Sequence, residues 1–217
     1  MSNSGSARSE APVVALLGGS FDPVHSAHLA LADAARLHGA EQVRWIPAAQ
    51  SPFKPEGPCI DDADRLALLQ AAIQDRPGES IDLREWQREG PSYTIETLRD
   101  LVAEQPATRW AWLMGEDSLA DFLDWREAEQ ILALAELWVA RREEGGASRI
   151  EERASRLQQA VPTARIEHIP FAPQPARSTE LRALLAQGID PGRELVPATV
   201  LHEIVARGLY GWPRQSD

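Results

Sequence analysis

The densest concentration of chemistry-bearing residues is the stretch GGSFDPVHSAHLALA, Gly18 to Ala32, which carries two glycines, an aspartate and the histidine pair His25 and His28. It follows an apolar run, VVALL, and opens into an alanine- and leucine-rich segment, so it reads as a strand-to-helix junction. Glycines let a backbone turn tightly and let a ligand approach it closely. A helix starting after His25 aims its free N–H groups and positive dipole end back at the same point, which makes an anion site. Histidines three apart share one face of a first helical turn, and they can donate to phosphate oxygens without a large net positive charge. Residue chemistry alone leaves two other readings open: a plain turn with incidental histidines, and a zinc pair. A zinc pair usually takes i, i+4 spacing and a third protein ligand, and neither is evident in the sequence. GxxxxGK[ST] and GxGxxG are both absent, which excludes the P-loop and the dinucleotide fingerprint.

A second candidate is Lys54, the only lysine among 22 basic residues. An arginine bias that left one lysine behind is one explanation. A position that wants a compact ammonium on a flexible stem, which a planar guanidinium would not imitate, is the other.

Positioning such residues requires regular elements. Short apolar runs of strand type occur at 13–17, 42–47, 80–83, 109–114, 137–140 and 165–169. Between them helical spacing predicts helices over 29–37, 62–73, 95–102, 119–134 and 150–157, followed by two more at 178–186 and 197–206. Strand–helix alternation implies an α/β, doubly wound, Rossmann-like and mostly parallel sheet, with helices on both faces and a small C-terminal helical portion from about residue 171. Ligands in such sheets sit at the carboxyl ends of the strands where the strand order reverses. Gly18 to His28 follows the first predicted strand, where a nucleotide site belongs. Loops are expected at 143–148 (EEGGAS) and 171–176 (FAPQPA).

The composition sets limits on partners. The 217 residues are 43% hydrophobic and 25% charged, as in an ordinary globular protein, and suffice for one domain over 13–217. A net charge of −11 argues against a broad basic face for nucleic acid, so positive contacts to a phosphate ligand must be local and few. Cys59 is the only cysteine, which precludes an intrachain disulfide and a cysteine-rich metal site. The polar start, 1–12, reads as a disordered tail without a signal peptide. ILALAELWVA, the longest apolar stretch, is short and carries Glu136, so no membrane span is expected and the protein is expected in the cytoplasm.

On these residues the chain resembles the nucleotidyltransferase superfamily, in the form of the nicotinate-mononucleotide adenylyltransferases. GGSFDPVHSAH is similar to that family's GG(S/T)F(D/N)PxHxGH, with Ala27 in the place of the usual glycine before the second histidine. IPAAQSPFKP (46–55) resembles IPxxxPPHK, and REWQREGPSYTIETL (84–98) resembles E…R…PSYTxxTL. WLMGEDSLADFLDWREAEQIL (112–132) resembles GxDxxxxxxxWxxxxxIL, and PARSTELRALL (175–185) resembles ISSTxIR with Ala176 and Arg177 at its first two positions. The likeness runs from about Val13 to Tyr210, with the motifs in the family order.

The resemblance implies transfer of the adenylyl group of ATP to nicotinate mononucleotide, with magnesium riding on the triphosphate and no protein metal cage. It implies His25, His28, Lys54 and Arg182 as the groups that stabilise phosphate charge. Gly18, Gly19, Ser20, Phe21, Gly115, Asp117, Ser178 and Thr179 would line the ATP site. Ser92, Tyr93, Thr94, Trp125 and Arg142 would hold nicotinate mononucleotide, Trp125 stacking on the pyridine ring and the Tyr93–Thr94 backbone meeting the nicotinate group. Ser92 or Thr94, and later Ser178, are expected to cap the helices they precede. His38, His168 and His202 match no motif and are expected at the surface or in packing. A sister adenylyl- or cytidylyltransferase, or a nucleotide-binding protein that has lost turnover, are the alternatives; oligomeric state and preference between nicotinate and nicotinamide acceptors stay open.

Overall fold

The computed structural model describes residues 11–142, 154–159, 161–172 and 174–213. Six strands form one fully parallel sheet: β1 (Val13–Gly19), β2 (Gln42–Pro47), β3 (Glu79–Ile81), β4 (Arg109–Gly115), β5 (Glu136–Arg142) and β6 (Ile166–Phe171). Their order is β3-β2-β1-β4-β5-β6. Each predicted strand is present, and the helices α1 (Ser26–His38), α2 (Asp62–Ile73) and α3 (Thr94–Glu104) cross between strands as the periodicity requires.

Parallel strands carry helices on both faces, so the central ones must be apolar on both sides. β1 obeys this residue by residue. Val13, Ala15 and Leu17 pack with Ala32 and Ala35 of α1 and with Leu68 and Leu69 of α2. Val14 and Leu16 point the other way, into a cluster with Ile95, Leu98 and Leu101 of α3. The C-terminal helices α6 (Ser178–Leu185) and α7 (Ala198–Arg207) return to the first face, burying Leu181, Leu185, Val200 and Ile204. They are tied there by Thr199 Oγ1 donating to the Ala71 carbonyl at 2.7 Å and by Arg207 paired with Asp64 at 3.1 Å.

Two expectations are corrected. The single helix predicted over 119–134 is broken into α4 (Glu116–Ala120), a 3-10 turn (Phe122–Asp124) and α5 (Ala128–Leu134). Trp125 is extended, with ψ 143°, and Glu127 takes the left-handed conformation, with φ 56°. Arg99 holds Glu127 there through an ion pair at 2.6 Å. The break turns Trp125 out of helical register and toward the end of β4. The second correction concerns the glycines. Gly18 and Gly19 are strand residues, registered against Ile46 and Pro47, and neither has a positive φ. The turn is made instead by Ser20 to Pro23, with Phe21 left-handed at φ 48° and a cis Asp22–Pro23 bond.

The loop expected at 143–148 lies outside the described residues. Of the helix expected over 150–157, only 154–157 is described; it is helical and runs on to 159. Among the described residues no helix is long and apolar enough to cross a membrane.

Candidate active site

The sheet order reverses between β1 and β4, and a cavity of about 610 Å³ opens at the carboxyl ends of those two strands. Its floor is Gly18, Gly19 and Ser20, with His28 from the first turn of α1. Trp112, Met114 and Gly115 enter from β4. The far wall is Ser92, Tyr93 and Thr94, next to Trp125 and Arg126, and Ser51, Pro52 and Phe53 form the outer lip. Nine of the sequence-predicted residues meet here: Gly18, Gly19, Ser20, His28, Gly115, Ser92, Tyr93, Thr94 and Trp125.

The histidine pair is built by the start of α1. His25 is the N-cap residue and His28 lies three residues on. The His25 backbone N–H donates to His28 Nδ1 at 3.3 Å. An acceptor at Nδ1 puts the ring proton on Nε2, so His28 presents an N–H donor from the ring edge opposite that bond. The two rings stack with centroids 3.8 Å apart, and Phe21 packs edge-on against His28 at 5.0 Å. Burial pushes the His25 pKa down to about 4. Burial, then His25 and then the Lys54 ammonium hold His28 well below its usual range. Both imidazoles are therefore neutral at pH 7.

This has a stability consequence. A histidine whose folded pKa is depressed from 6.5 to about 4 contributes fully above pH 6.5, and its contribution is lost as pH falls from 6.5 through 4. The loss attributable to His25 is about 3 kcal/mol. Urea midpoints at pH 7 and pH 4.5 should converge in His25→Gln relative to wild type; an identical pH dependence in the two proteins would contradict the burial of a neutral imidazole.

The glycines act through packing as much as through ligand access. A Cβ on Gly18 would stand 2.6 Å from the Trp112 ring, and one on Gly19 would stand 3.1 Å from Phe21. Gly115 has open space where its Cβ would be and lines the cavity directly.

The capping expectations are replaced. The N-cap of α3 is Tyr93, with no side-chain cap. Ser92 instead ties two loops together: its Oγ accepts from the Ala49 N–H at 2.9 Å and its N–H donates to the Gln50 carbonyl at 2.8 Å. The N-cap of α6 is Arg177, again without a side-chain cap. Ser178 Oγ donates to the Pro23 carbonyl at 3.3 Å. Arg182 Nη1 donates to the Asp22 carbonyl at 2.6 Å and lies 3.7 Å from the Asp22 carboxylate. These residues clamp the turn after β1 and are not among those lining the cavity. Thr179 contacts Arg182 at 3.5 Å and also stands off the cavity wall.

Phe21 and His25 are buried behind the floor. Lys54 is exposed just beyond the lip, and Asp117 is exposed on α4, where Ser118 lines the cavity in its place. Arg142 ends β5, and its side chain lies outside the described residues. His38 packs edge-on to Trp138 and bonds Glu167 at 2.6 Å, as a packing residue.

Sequence reasoning missed Arg65, Glu85, Phe53 and Arg126. Arg65 is wholly buried, donating from Nη1 to the carbonyls of Ser20 at 3.0 Å and Ala48 at 2.7 Å and pairing with Asp62 at 2.5 Å. It thereby joins the chain leaving β1 to the chain leaving β2. Its signal was available: Arg65, Leu68, Leu69 and Ala72 fall on one helical stripe, and an arginine within an apolar stripe is anomalous. Glu85 lines the cavity, accepts from Thr97 Oγ1 at 2.7 Å, and has its pKa raised chiefly by burial. Phe53 rests 5.9 Å from Trp125, which is backed by Phe122 at 5.3 Å.

Residues 16–184 match the cytidylyltransferase-like family model. A probable nicotinate-nucleotide adenylyltransferase of a Synechococcus strain is 39% identical, covering 92% of this chain and 98% of that one. Its counterpart in Bordetella avium is 38% identical over 91% and 97% of the two chains. The solved structure of Plasmodium falciparum nicotinic acid mononucleotide adenylyltransferase complexed with NaAD has the same fold, with a TM-score of 0.73 at 17% identity over 93% of this chain and 98% of that one.

Proposed function

Because this chain belongs to the cytidylyltransferase-like family and, within it, to the nicotinate-nucleotide adenylyltransferases, we propose that it transfers the adenylyl group of ATP to nicotinate mononucleotide. Nicotinate adenine dinucleotide and pyrophosphate are the products. The observation that carries the reading is the meeting, in one cavity, of the β1–α1 junction with the Ser92–Thr94 segment and Trp125.

The acceptor 5′-phosphate is ionised at neutral pH, so an oxygen of it attacks the α-phosphorus without a general base. The bond to the β-phosphate oxygen breaks, and pyrophosphate carries the electrons away. Catalysis reduces to alignment and to donors placed where phosphate charge grows. In this reading the His28 Nε2–H donates to the triphosphate; beside it the Ser26 N–H is taken by the Leu195 carbonyl at 2.9 Å and the His28 N–H by the His25 carbonyl at 3.0 Å, so the ring supplies the donor. Stacked His25 orients His28 from behind, and the Lys54 ammonium supplies charge from the lip. Arg182 and Ser178 act by holding the Asp22–Pro23 turn on which the two histidines depend, and Thr179 accepts from Arg182 at 3.5 Å. Tyr93 and Thr94 offer backbone donors at the uncapped start of α3, and Trp125 gives the pyridine ring a flat apolar face.

A magnesium ion would neutralise charge on the leaving pyrophosphate. The donor set suits an ion carried by the phosphates: the cavity offers ring and backbone N–H groups, and among the described residues no cluster of three or more His, Cys, Asp or Glu is arranged to hold a metal.

Pyrophosphate release with ATP and magnesium tests the reading. Release is expected with nicotinate mononucleotide and not with phosphopantetheine. Release with phosphopantetheine alone would move the chain to a sister activity, and release with no acceptor despite ATP binding would make it a binding protein.

A further inference from the structure

Three charged side chains line the cavity, Glu85, Asp124 and Arg126, so among the described residues Arg126 is its one cationic wall group. Arg126 follows Trp125 directly, at the point where the broken helix turns the chain toward the cavity. Its guanidinium carbon sits 4.6 Å above the centre of the Tyr93 ring. It is also held by Glu96, whose Oε1 accepts from Nη1 at 3.2 Å. A second carboxylate, Glu127, stands 4.0 Å from its Nε, and that group is already given to Arg99 at 2.6 Å. Arg126 is half exposed, at 50% for the side chain, so its pair with Glu96 is a weak one that a competing anion can replace.

Resting on the adenylyltransferase reading above, we infer that Arg126 is a specificity-determining residue, which makes the site prefer an acceptor whose pyridine ring carries a carboxylate over one whose ring carries a carboxamide. The two rings are alike in shape and stack alike on Trp125, and backbone N–H groups serve an amide oxygen nearly as well as a carboxylate oxygen. A charge, and an acceptor oxygen in place of an amide NH2, separate them. A guanidinium anchored on Tyr93, beside the stacking face, meets the carboxylate as a charge-assisted pair and the amide as an ordinary hydrogen bond, which is roughly twice as weak. The two wall carboxylates, Glu85 and Asp124, are the same in every Arg126 variant, so a change in the ratio of the two acceptors reports Arg126.

The test compares kcat/KM for nicotinate and nicotinamide mononucleotides in wild type, Arg126→Gln and Arg126→Lys. Wild type should prefer the acid. In Arg126→Gln the ratio of the two values should fall about tenfold, through the KM of the acid rather than kcat. Arg126→Lys should keep most of the ratio, and rising salt should shrink the wild-type ratio toward that of the Gln variant. A ratio within twofold of wild type in Arg126→Gln, an equal fall for both acceptors, or a wild-type preference for the amide would overturn the inference while leaving the reaction intact. A wild-type protein that releases pyrophosphate with neither acceptor would overturn the reaction, and the inference with it.

Discussion

In His28→Ala, kcat should fall by at least tenfold and on the order of 10²-fold, with the fold retained. The size follows from what the ring contributes. His28 is neutral, so it stabilises phosphate charge by a fixed donor and not by a net charge, and one such donor in a site removed from water is worth that much. Its direction is set by the His25 N–H bonded to Nδ1. That suggests a graded comparison. Glutamine places an amide N–H near the position of Nε2, so His28→Gln should recover part of the loss, whereas His28→Asn, one carbon shorter, should not. Steady-state kinetics with saturating acceptor distinguish these variants, with the thermal midpoint as control for folding. Wild-type turnover in His28→Ala would remove His28 from the mechanism.

Arg65→Ala should cost about 3–5 kcal/mol of stability and abolish activity at temperatures where the wild type is folded. The guanidinium is completely buried, and its removal leaves the Ser20 and Ala48 carbonyls without donors as well as a void beneath Trp86, over whose ring it sits at 4.9 Å. Unsatisfied buried carbonyls and a void both destabilise, and both adjoin Ser20 and Ala48, which line the cavity. Arg65→Met separates the two effects by filling the volume without donating. It should recover a minority of the lost stability and leave KM for ATP raised, because the chains leaving β1 and β2 are no longer tied. Urea midpoints for the three proteins decide it; a change below 1 kcal/mol in Arg65→Ala would mean that the tie is not structural.

The strands were legible in the sequence because a doubly wound sheet makes its inner strands apolar on both faces, and runs such as VVALL and RWAWLM have no other economical explanation. The site's location was legible for the same reason, since the Gly18–His28 stretch could only follow the first strand. Side-chain partnerships were not. Ser92 and Ser178 each sit where a cap belongs, yet each is taken by a backbone group distant in sequence, Ala49 in one case and Pro23 in the other. Local propensity cannot register a partner more than forty residues away. The break in the 119–134 segment escaped notice because no proline or glycine marks it; Glu127 is held left-handed by Arg99, a tertiary constraint acting on an ordinary residue. Gly18 was read as making room for a nucleotide, and the structure adds Trp112 as a claimant on the same space.

The strand order bears on how the protein comes into being. Of the six strands, β1 leaves the ribosome before the other five and is one of the two innermost in the sheet, and its Val13 registers against Arg109 of β4. β2 can pair with one of its edges early, but the other edge waits for nearly a hundred further residues, about 5–20 s at ordinary rates of synthesis. During that interval the nascent chain carries an unpaired parallel edge with both faces apolar, the kind of surface on which chains add to one another. The cavity at the carboxyl ends of β1 and β4 cannot form before β4 arrives, so nothing bound there can shelter that early half.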